Sequence, residues 1–275
     1  MTMLLKTEWL KIKNYMAFKI LAIFFGAGVI LTNYIVYAIN KNIVHKSPTG
    51  QMILSSFNPY EFTKTWQTTS YTTGYLLILP AMLIIILLTN EYTYRTSRQN
   101  IIDGWSRSQF IEVKLQMALL AAVFTTVLVI LTALGFGLTS GTSFSFSGFS
   151  HIGFFFLKAL SYNMFAVFIS VLVKKTGFAI GLYFIYLGAE NLLSFMLDFA
   201  SGNIKTTYGR DLGSMGDYLP LSSSDGLLTF PDNPMKAAAK SLMPADYTWV
   251  VAGFALLYLF LFMYWSRRRF MRADL

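Results

Sequence analysis

Long apolar stretches recur along the whole chain, and each is long enough to cross a lipid bilayer as a helix. A hydrocarbon core of about 30 Å requires roughly 20 mainly apolar residues in a helix. Charged residues make up only 13% of the 275 residues, whereas soluble domains contain roughly 25%. The sequence therefore predicts an all-α integral membrane protein that forms a single transmembrane domain over residues 1–275.

Six membrane spans are predicted, and each ends where charges, prolines or Gly/Ser-rich runs begin. They are 16–39, 71–89, 115–138, 151–173, 176–199 and 247–265. Two polar segments, 40–70 and 200–246, are then predicted to lie outside the membrane on one side. Pro80 falls within the second span, where we expect a kink because proline has no N–H to donate to the preceding turn.

Residues 2–15 precede the first span and are predicted to form an amphipathic helix at the membrane interface. Leu5, Trp9, Ile12 and Met16 recur at helical spacing, while the lysines of this segment point mostly elsewhere. The alternative is that the segment merely extends the first span into water.

The distribution of Lys and Arg predicts the orientation in the membrane. Of 22 such residues, 14 fall on the side of the two termini and of the connections 90–114 and 174–175; 7 fall on the other side, and Lys158 lies within a span. Cytoplasmic connections carry the excess of positive charge. Both termini are therefore predicted to be cytoplasmic, in a multi-pass protein of a bacterial plasma (inner) membrane. Topology also accounts for the net charge of +9 without a nucleic-acid partner.

The sequence contains none of the patterns that would indicate an active site. A phosphate-binding loop needs a Gly-Lys pair, and this pair does not occur. The two histidines, His45 and His151, are far apart in sequence, and cysteine is absent. We therefore predict no catalytic residue, no metal site and no cofactor on this chain.

The connection 90–114 is the most informative stretch for function. It carries charges of both signs and a short apolar pair, Ile101 and Ile102. This composition is compatible with a short helix that lies along the cytoplasmic face and docks a partner. The alternative is a solvated loop whose positive charge only reflects orientation.

The order of residues in this connection is distinctive: an acid, a threonine, an arginine, an apolar pair, a glycine, Ser-Arg, an aromatic residue and a lysine. It resembles the loop between the second and third spans in the type 2 family of ATP-binding-cassette exporter permeases. The six spans, the N-terminal interfacial helix and the long outer segment before the last span match that family as well. Arg95 departs from the usual pattern, because a glycine commonly stands there, and Gly104-Trp105 stand where a proline often occurs. By resemblance, the coupling-loop positions are Glu91, Arg95, Thr96, Arg98, Ile101, Ile102, Gly104, Arg107, Phe110 and Lys114.

In that family the loop forms a cytoplasmic coupling helix that sits in a groove of a separate ATPase subunit. The resemblance implies a non-catalytic permease, paired with a second copy or a related permease, with ATP and Mg bound by the ATPase partner. It also implies export of an amphipathic, lipid-like, peptide or drug substrate. The alternatives are an ion-driven or sodium-extruding transporter component, and a membrane scaffold or enzyme without an ATPase partner.

Two ionisable residues, Lys158 and Glu190, fall inside predicted spans. Such a group costs roughly 2.5–3.5 kcal/mol on insertion scales, so it needs a partner or a wet cavity. Counting about 1.5 Å per residue from the turn at 174–175 places both about 23 Å from the cytoplasmic boundary. Equal depth on consecutive helices predicts an ion pair between them. Alternatively, Glu190 lines a pathway or binds a cation, or each group reaches the outer interface separately.

Overall fold

In a computed structural model, the described residues are 2–44, 57–232, 245 and 247–272. Within these ranges the chain is helical, with short turns and loops and no strand. The α-helices are α1 Thr2–Ile12, α2 Met16–Ile39, α3 Phe62–Gly74, α4 Ile78–Thr93, α5 Thr96–Ile102, α6 Arg107–Thr139, α7 Ser150–Val173, α8 Thr176–Tyr208, α9 Ser222–Gly226 and α10 Thr248–Arg272.

Six continuous helical segments are long and apolar enough to cross a membrane, which confirms the prediction of a multi-pass helical architecture. They are Met16–Asn42, Phe62–Thr93, Arg107–Thr139, Ser150–Val173, Thr176–Tyr208 and Thr248–Arg272. Three of them have 32 or 33 residues, more than the roughly 20 that a bilayer core requires. These three helices therefore tilt or extend beyond the hydrocarbon layer.

The helix around the second predicted span begins at Phe62, well before the predicted start at residue 71. Its first part, α3, is rich in threonine and reads as a polar loop in the sequence, yet most of its threonines are buried. The Thr69 hydroxyl donates to the carbonyl of Thr65 at 2.7 Å, and that of Thr72 donates to the carbonyl of Thr68 at 2.9 Å. Hydroxyls satisfied by the preceding helical turn can be buried at little cost, so hydropathy underestimates the length of this helix.

The helix is distorted close to Pro80, as expected. A 3₁₀ turn, Tyr75–Leu77, separates α3 from α4. Because Pro80 has no N–H, the carbonyl of Leu76, four residues earlier, has no α-helical donor. The interruption therefore lies around the carbonyl that lacks its α-helical donor because of the proline.

The fourth span, α7, forms the centre of the bundle and packs against α3, α4, α6, α8 and α10. Its sequence contains the polar residues Lys158 and Asn163, which weaken its hydropathy. In the fold these side chains point into the bundle, and Asn163 donates from Nδ2 to the carbonyl of Ala118 on α6 at 3.1 Å. Polar groups that hydrogen-bond across helices are well suited to a helix surrounded by others.

One end of the bundle gathers α1, the connection 94–106, the turn at 174–175 and the last turns of α10; we call it the charged end. Three contacts define it: Glu8 of α1 binds Lys114 of α6, Lys174 lies 5.5 Å from the ring centre of Tyr92, and Phe270 of α10 stacks on a ring of α6. The described parts of both chain ends thus lie at the same end of the bundle.

Candidate functional site at the charged end

The short helix α5 is held between two sharp backbone turns. Arg95, just before it, has left-handed backbone angles, φ 58° and ψ 15°, which cost a non-glycine residue about 1–2 kcal/mol. Gly104, just after it, has φ 100°. The next long helix, α6, begins with a capping box in which Ser106 and Gln109 each bind the other's backbone N–H, at 3.1 and 2.9 Å. The seven residues of α5 are therefore set off from α4 and α6 as a separate element.

One edge of α5 packs on the bundle and the other projects away from it. Ser97 is buried and Ile101 is partly buried, whereas the side chain of Ile102 is 81% exposed. Arg98 and Tyr94 are also exposed. The outward side therefore combines apolar surface with an arginine and a nearby tyrosine, two residue types that are enriched in protein interfaces.

The structure sorts the residues predicted for the coupling loop by burial. The exposed ones are Arg95, Thr96, Arg98, Ile102 and Gly104; those partly buried are Ile101 and Arg107; the buried ones are Glu91, Phe110 and Lys114. Only the first two groups can touch a partner directly. The three buried residues hold the bundle together beneath α5.

Four charged side chains lie together beneath the connection, and we call them the four-charge cluster: Glu8, Lys11, Glu91 and Lys114. The Lys114 ammonium lies 2.6 Å from Glu91 Oε1 and also donates to the Glu8 carboxylate. Lys11 Nζ lies 2.8 Å from Glu8 Oε1 and 3.6 Å from Glu91 Oε1. Two ammonium groups and two carboxylates thus connect α1, α4 and α6.

Mutual pairing keeps Glu8 and Lys11, the two α1 members of this cluster, charged despite their burial. Burial alone would raise the pKa of Glu8, but the ammonium groups of Lys114 and Lys11 hold this pKa below its ordinary value. Burial would likewise lower the pKa of Lys11, but the carboxylates of Glu91 and Glu8 outweigh it and raise this pKa. Lys11 also lies 5.8 Å from the ring centre of Trp105, which brings the connection itself into the cluster. Removing one member would leave a buried charge without compensation.

The C-terminal part of the connection contacts the end of α10. The rings of Phe110 and Phe270 stack with centroids 5.0 Å apart and planes inclined by 9°. Arg267 Nη2 lies 3.0 Å from Glu112 Oε1, and Arg107 donates to a backbone carbonyl near the end of α10 at 3.3 Å. The end of α10 is therefore attached to the start of α6, the helix that follows α5.

The contacts of α1 show which of its residues face the bundle, whereas the amphipathic helix at the membrane interface stays a prediction. Trp9 is 51% and Met16 67% exposed, whereas Ile12 and Glu8 are buried; Leu5 is partly buried. The carboxylate of Glu8 tolerates burial because two lysines surround it. The three-residue spacing of Glu8 and Lys11, typical of a helical ion pair, is the sequence feature that could have indicated their pairing.

The predicted ion pair between Lys158 and Glu190 is not what the structure shows. Lys158 Nζ lies 3.1 Å from Asp225 Oδ1 instead. Glu190 Oε1 accepts hydrogen bonds from the backbone N–H groups of Leu221 and Ser222, at 2.6 and 2.7 Å. Both ionisable groups are thus bound by the segment around α9.

Counting residues from the turn at 174–175 predicted that Lys158 and Glu190 lie at the same depth. The structure agrees with this, because both side chains reach the same segment. Asp225 is further fixed by Tyr162, whose hydroxyl lies 3.0 and 2.9 Å from its two carboxylate oxygens. The sequence gives no indication that the polar segment after the fifth span folds back onto the bundle and meets Lys158 and Glu190. A role of Glu190 in a pathway or in cation binding stays a prediction.

No protein-family model matches this chain, and no curated protein matches it either. Its function is therefore inferred from the residues and contacts described above.

Proposed function

We propose that this chain is the membrane-spanning permease subunit of an ATP-binding-cassette exporter of the type 2 family, and that its ATPase is a separate chain. The observation that carries the proposal is α5: a short helix fixed between two turns, with Ile102 and Arg98 exposed on its outer side. In this proposal α5 is the coupling helix and sits in a groove of the ATPase. ATP and Mg are bound by the ATPase, and this chain performs no catalysis.

The four-charge cluster explains how a movement of α5 would reach the spans. Glu91 lies five residues before α5 begins at Thr96, and Lys114 lies in the second turn of α6. These two side chains bind each other and both contact α1 residues. A shift of α5 that moves the end of α4 or the start of α6 would therefore also act on α1. Packed elements of this kind respond to a docked partner as rigid bodies.

We further propose that the charged end faces the cytoplasm of a bacterial cell and that α1 lies at the membrane interface. The excess of Lys and Arg at this end supports the orientation, and the exposed Trp9 ring is typical of the headgroup level. Two permeases, identical or related, would enclose the pathway for an amphipathic, lipid-like, peptide or drug substrate. This substrate class rests on the resemblance to the family alone.

A cross-linking experiment tests the proposal. The chain has no cysteine, so Ile102→Cys and Tyr208→Cys each introduce a single thiol. Both side chains are strongly exposed, but Tyr208 ends α8 at the opposite end of the bundle. In membranes of the native cell, we expect Ile102→Cys to cross-link to a protein that contains a phosphate-binding loop, and Tyr208→Cys not to.

The same two positions test whether the ATPase binds at α5. Ile102→Asp should strongly reduce co-purification of the ATPase, because it places a charge in an apolar contact, whereas Tyr208→Asp should leave co-purification unchanged. If Ile102→Cys reaches the membrane in normal amounts and cross-links only to proteins without a phosphate-binding loop, the proposal fails.

An ion-driven carrier is the second candidate, and the buried charges around α9 favour it. Ionisable residues inside a bundle mark ion and proton pathways in many carriers. Lys158 and Glu190 both contact the segment around α9, which itself contributes Asp225. Transport that continues after deletion of the ATPase and stops when the ion gradient is dissipated would identify a carrier. Transport that stops after deletion of the ATPase, while the ion gradient is intact, would support the exporter.

A further inference from the structure

A lateral apolar groove of about 820 Å³ lies between α1 and α2 on one side and α4 and α6 on the other. Its floor contains the buried residues Phe25, Pro80 and Ile84, and its rim contains the exposed residues Leu120 and Phe124. The groove is therefore open toward the side of the bundle, where lipid would surround the helices.

The length of the groove matches one leaflet of a bilayer. Its lining residues run from Leu79 to Leu87 on α4 and from Met117 to Val127 on α6. At about 1.5 Å per residue these stretches are about 12–15 Å long, roughly half of a 30 Å hydrocarbon core. The groove begins beside α1 at the charged end, so it lies in the leaflet next to that end.

The mouth of the groove carries one positive charge. Lys6 is the only charged residue among the lining residues, and it has neither an ion pair nor a hydrogen bond from its ammonium group within the described part of the chain. The four-charge cluster contains two lysines and two glutamates, so it supplies no excess of negative charge that would cancel this one. Next to Lys6 in the lining, Trp9 is half exposed and its ring lies edge-on to Phe18 at 5.9 Å; such a residue suits the headgroup level.

We propose that this groove binds one anionic phospholipid, with an acyl chain along α4 and α6 and the headgroup phosphate paired with Lys6. The apolar lining fits the acyl chain, the length fits one leaflet, and the charge at the mouth fits an anionic headgroup. This lipid is a bound component of the protein and not the exported molecule. The inference does not depend on the ATPase partner.

Native mass spectrometry of the purified full chain in detergent tests the inference, with dioleoyl phosphatidylglycerol and dioleoyl phosphatidylcholine as probes. We expect one phosphatidylglycerol to bind roughly fivefold more tightly than phosphatidylcholine. Lys6→Glu should weaken phosphatidylglycerol binding roughly tenfold or more. Lys13→Glu makes the same charge change at an exposed lysine outside the groove and should have no effect.

A second pair of variants tests the position of the acyl chain. Ala121 lines the groove, so Ala121→Phe fills it and should abolish binding of both lipids. Ala189 is exposed on α8, and Ala189→Phe should leave binding unchanged. If Ala121→Phe does not fold, the two lysine variants decide the question.

Three results would overturn the inference: equal affinity for the two lipids, equal effects of Lys6→Glu and Lys13→Glu, or full binding to a folded Ala121→Phe. A second copy of the chain in the groove would also overturn it. That arrangement would appear as a disulfide between two copies of Leu120→Cys in lipid bilayers.

Discussion

Replacing Lys114 by methionine should destabilise the protein more than any other single change in the four-charge cluster. Lys114 lies between the carboxylates of Glu8 and Glu91, and methionine keeps much of its length but not its charge. Removing one partner of a buried ion pair costs about 3–5 kcal/mol, because the remaining charge is left uncompensated. Lys11 stays near both carboxylates, but its side chain is 38% exposed, so it compensates only in part. We expect the free energy of unfolding to fall by about 2–4 kcal/mol.

Reversible unfolding in mixed micelles, followed by circular dichroism during titration with dodecyl sulfate, measures this change. Lys11→Met is the matched control and should cost about 1 kcal/mol or less, because solvent screens its partly exposed ammonium group. Adding Glu91→Gln to Lys114→Met should recover part of the loss, with a coupling of about 1–3 kcal/mol. Equal costs for Lys114→Met and Lys11→Met, or strict additivity in the double variant, would refute the reasoning.

Three further predictions follow from the backbone and from the buried charges. Arg95→Gly should leave the free energy of unfolding unchanged or raise it by up to about 1 kcal/mol, since glycine adopts the left-handed conformation without strain; a clear loss in the same titration would contradict this. Burial and two neighbouring aspartates raise the pKa of Asp217 from 3.8 to about 6, so the folded state binds more protons than the unfolded state between these values, and stability falls as the pH rises through this window. Asp217→Asn should therefore make the thermal unfolding temperature less dependent on pH between pH 4 and about 6. An unchanged pH dependence would exclude Asp217 as the cause. Double-mutant cycles should give a coupling of about 1–3 kcal/mol between Lys158 and Asp225 and a distinctly smaller one between Lys158 and Glu190; the reverse order would restore the predicted pair.

Much of the fold follows from hydropathy, because a bilayer imposes one requirement on every span. A spanning helix must satisfy its own backbone hydrogen bonds and present apolar side chains over about 30 Å. Five of the six predicted spans therefore lie within the long helices that the structure contains, and the sixth, 247–265, begins one residue before its helix. The composition of the connection 90–114 left a short helix and a solvated loop open, and the family resemblance favoured the helix. The structure has the helix α5 at Thr96–Ile102; its docking role stays a prediction.

The sequence alone determined where apolar segments begin and end, since this depends on side chains taken one at a time. The tertiary structure decided which polar groups meet, since each partner comes from a distant part of the chain. Glu8 becomes a buried residue only because Lys114, more than a hundred residues later, reaches it. Lys158 pairs with Asp225 rather than Glu190 because the segment around α9 folds back onto the bundle and supplies both a carboxylate and free N–H groups. A buried charge takes the nearest partner that the fold provides, and hydropathy and depth along a helix do not identify that partner.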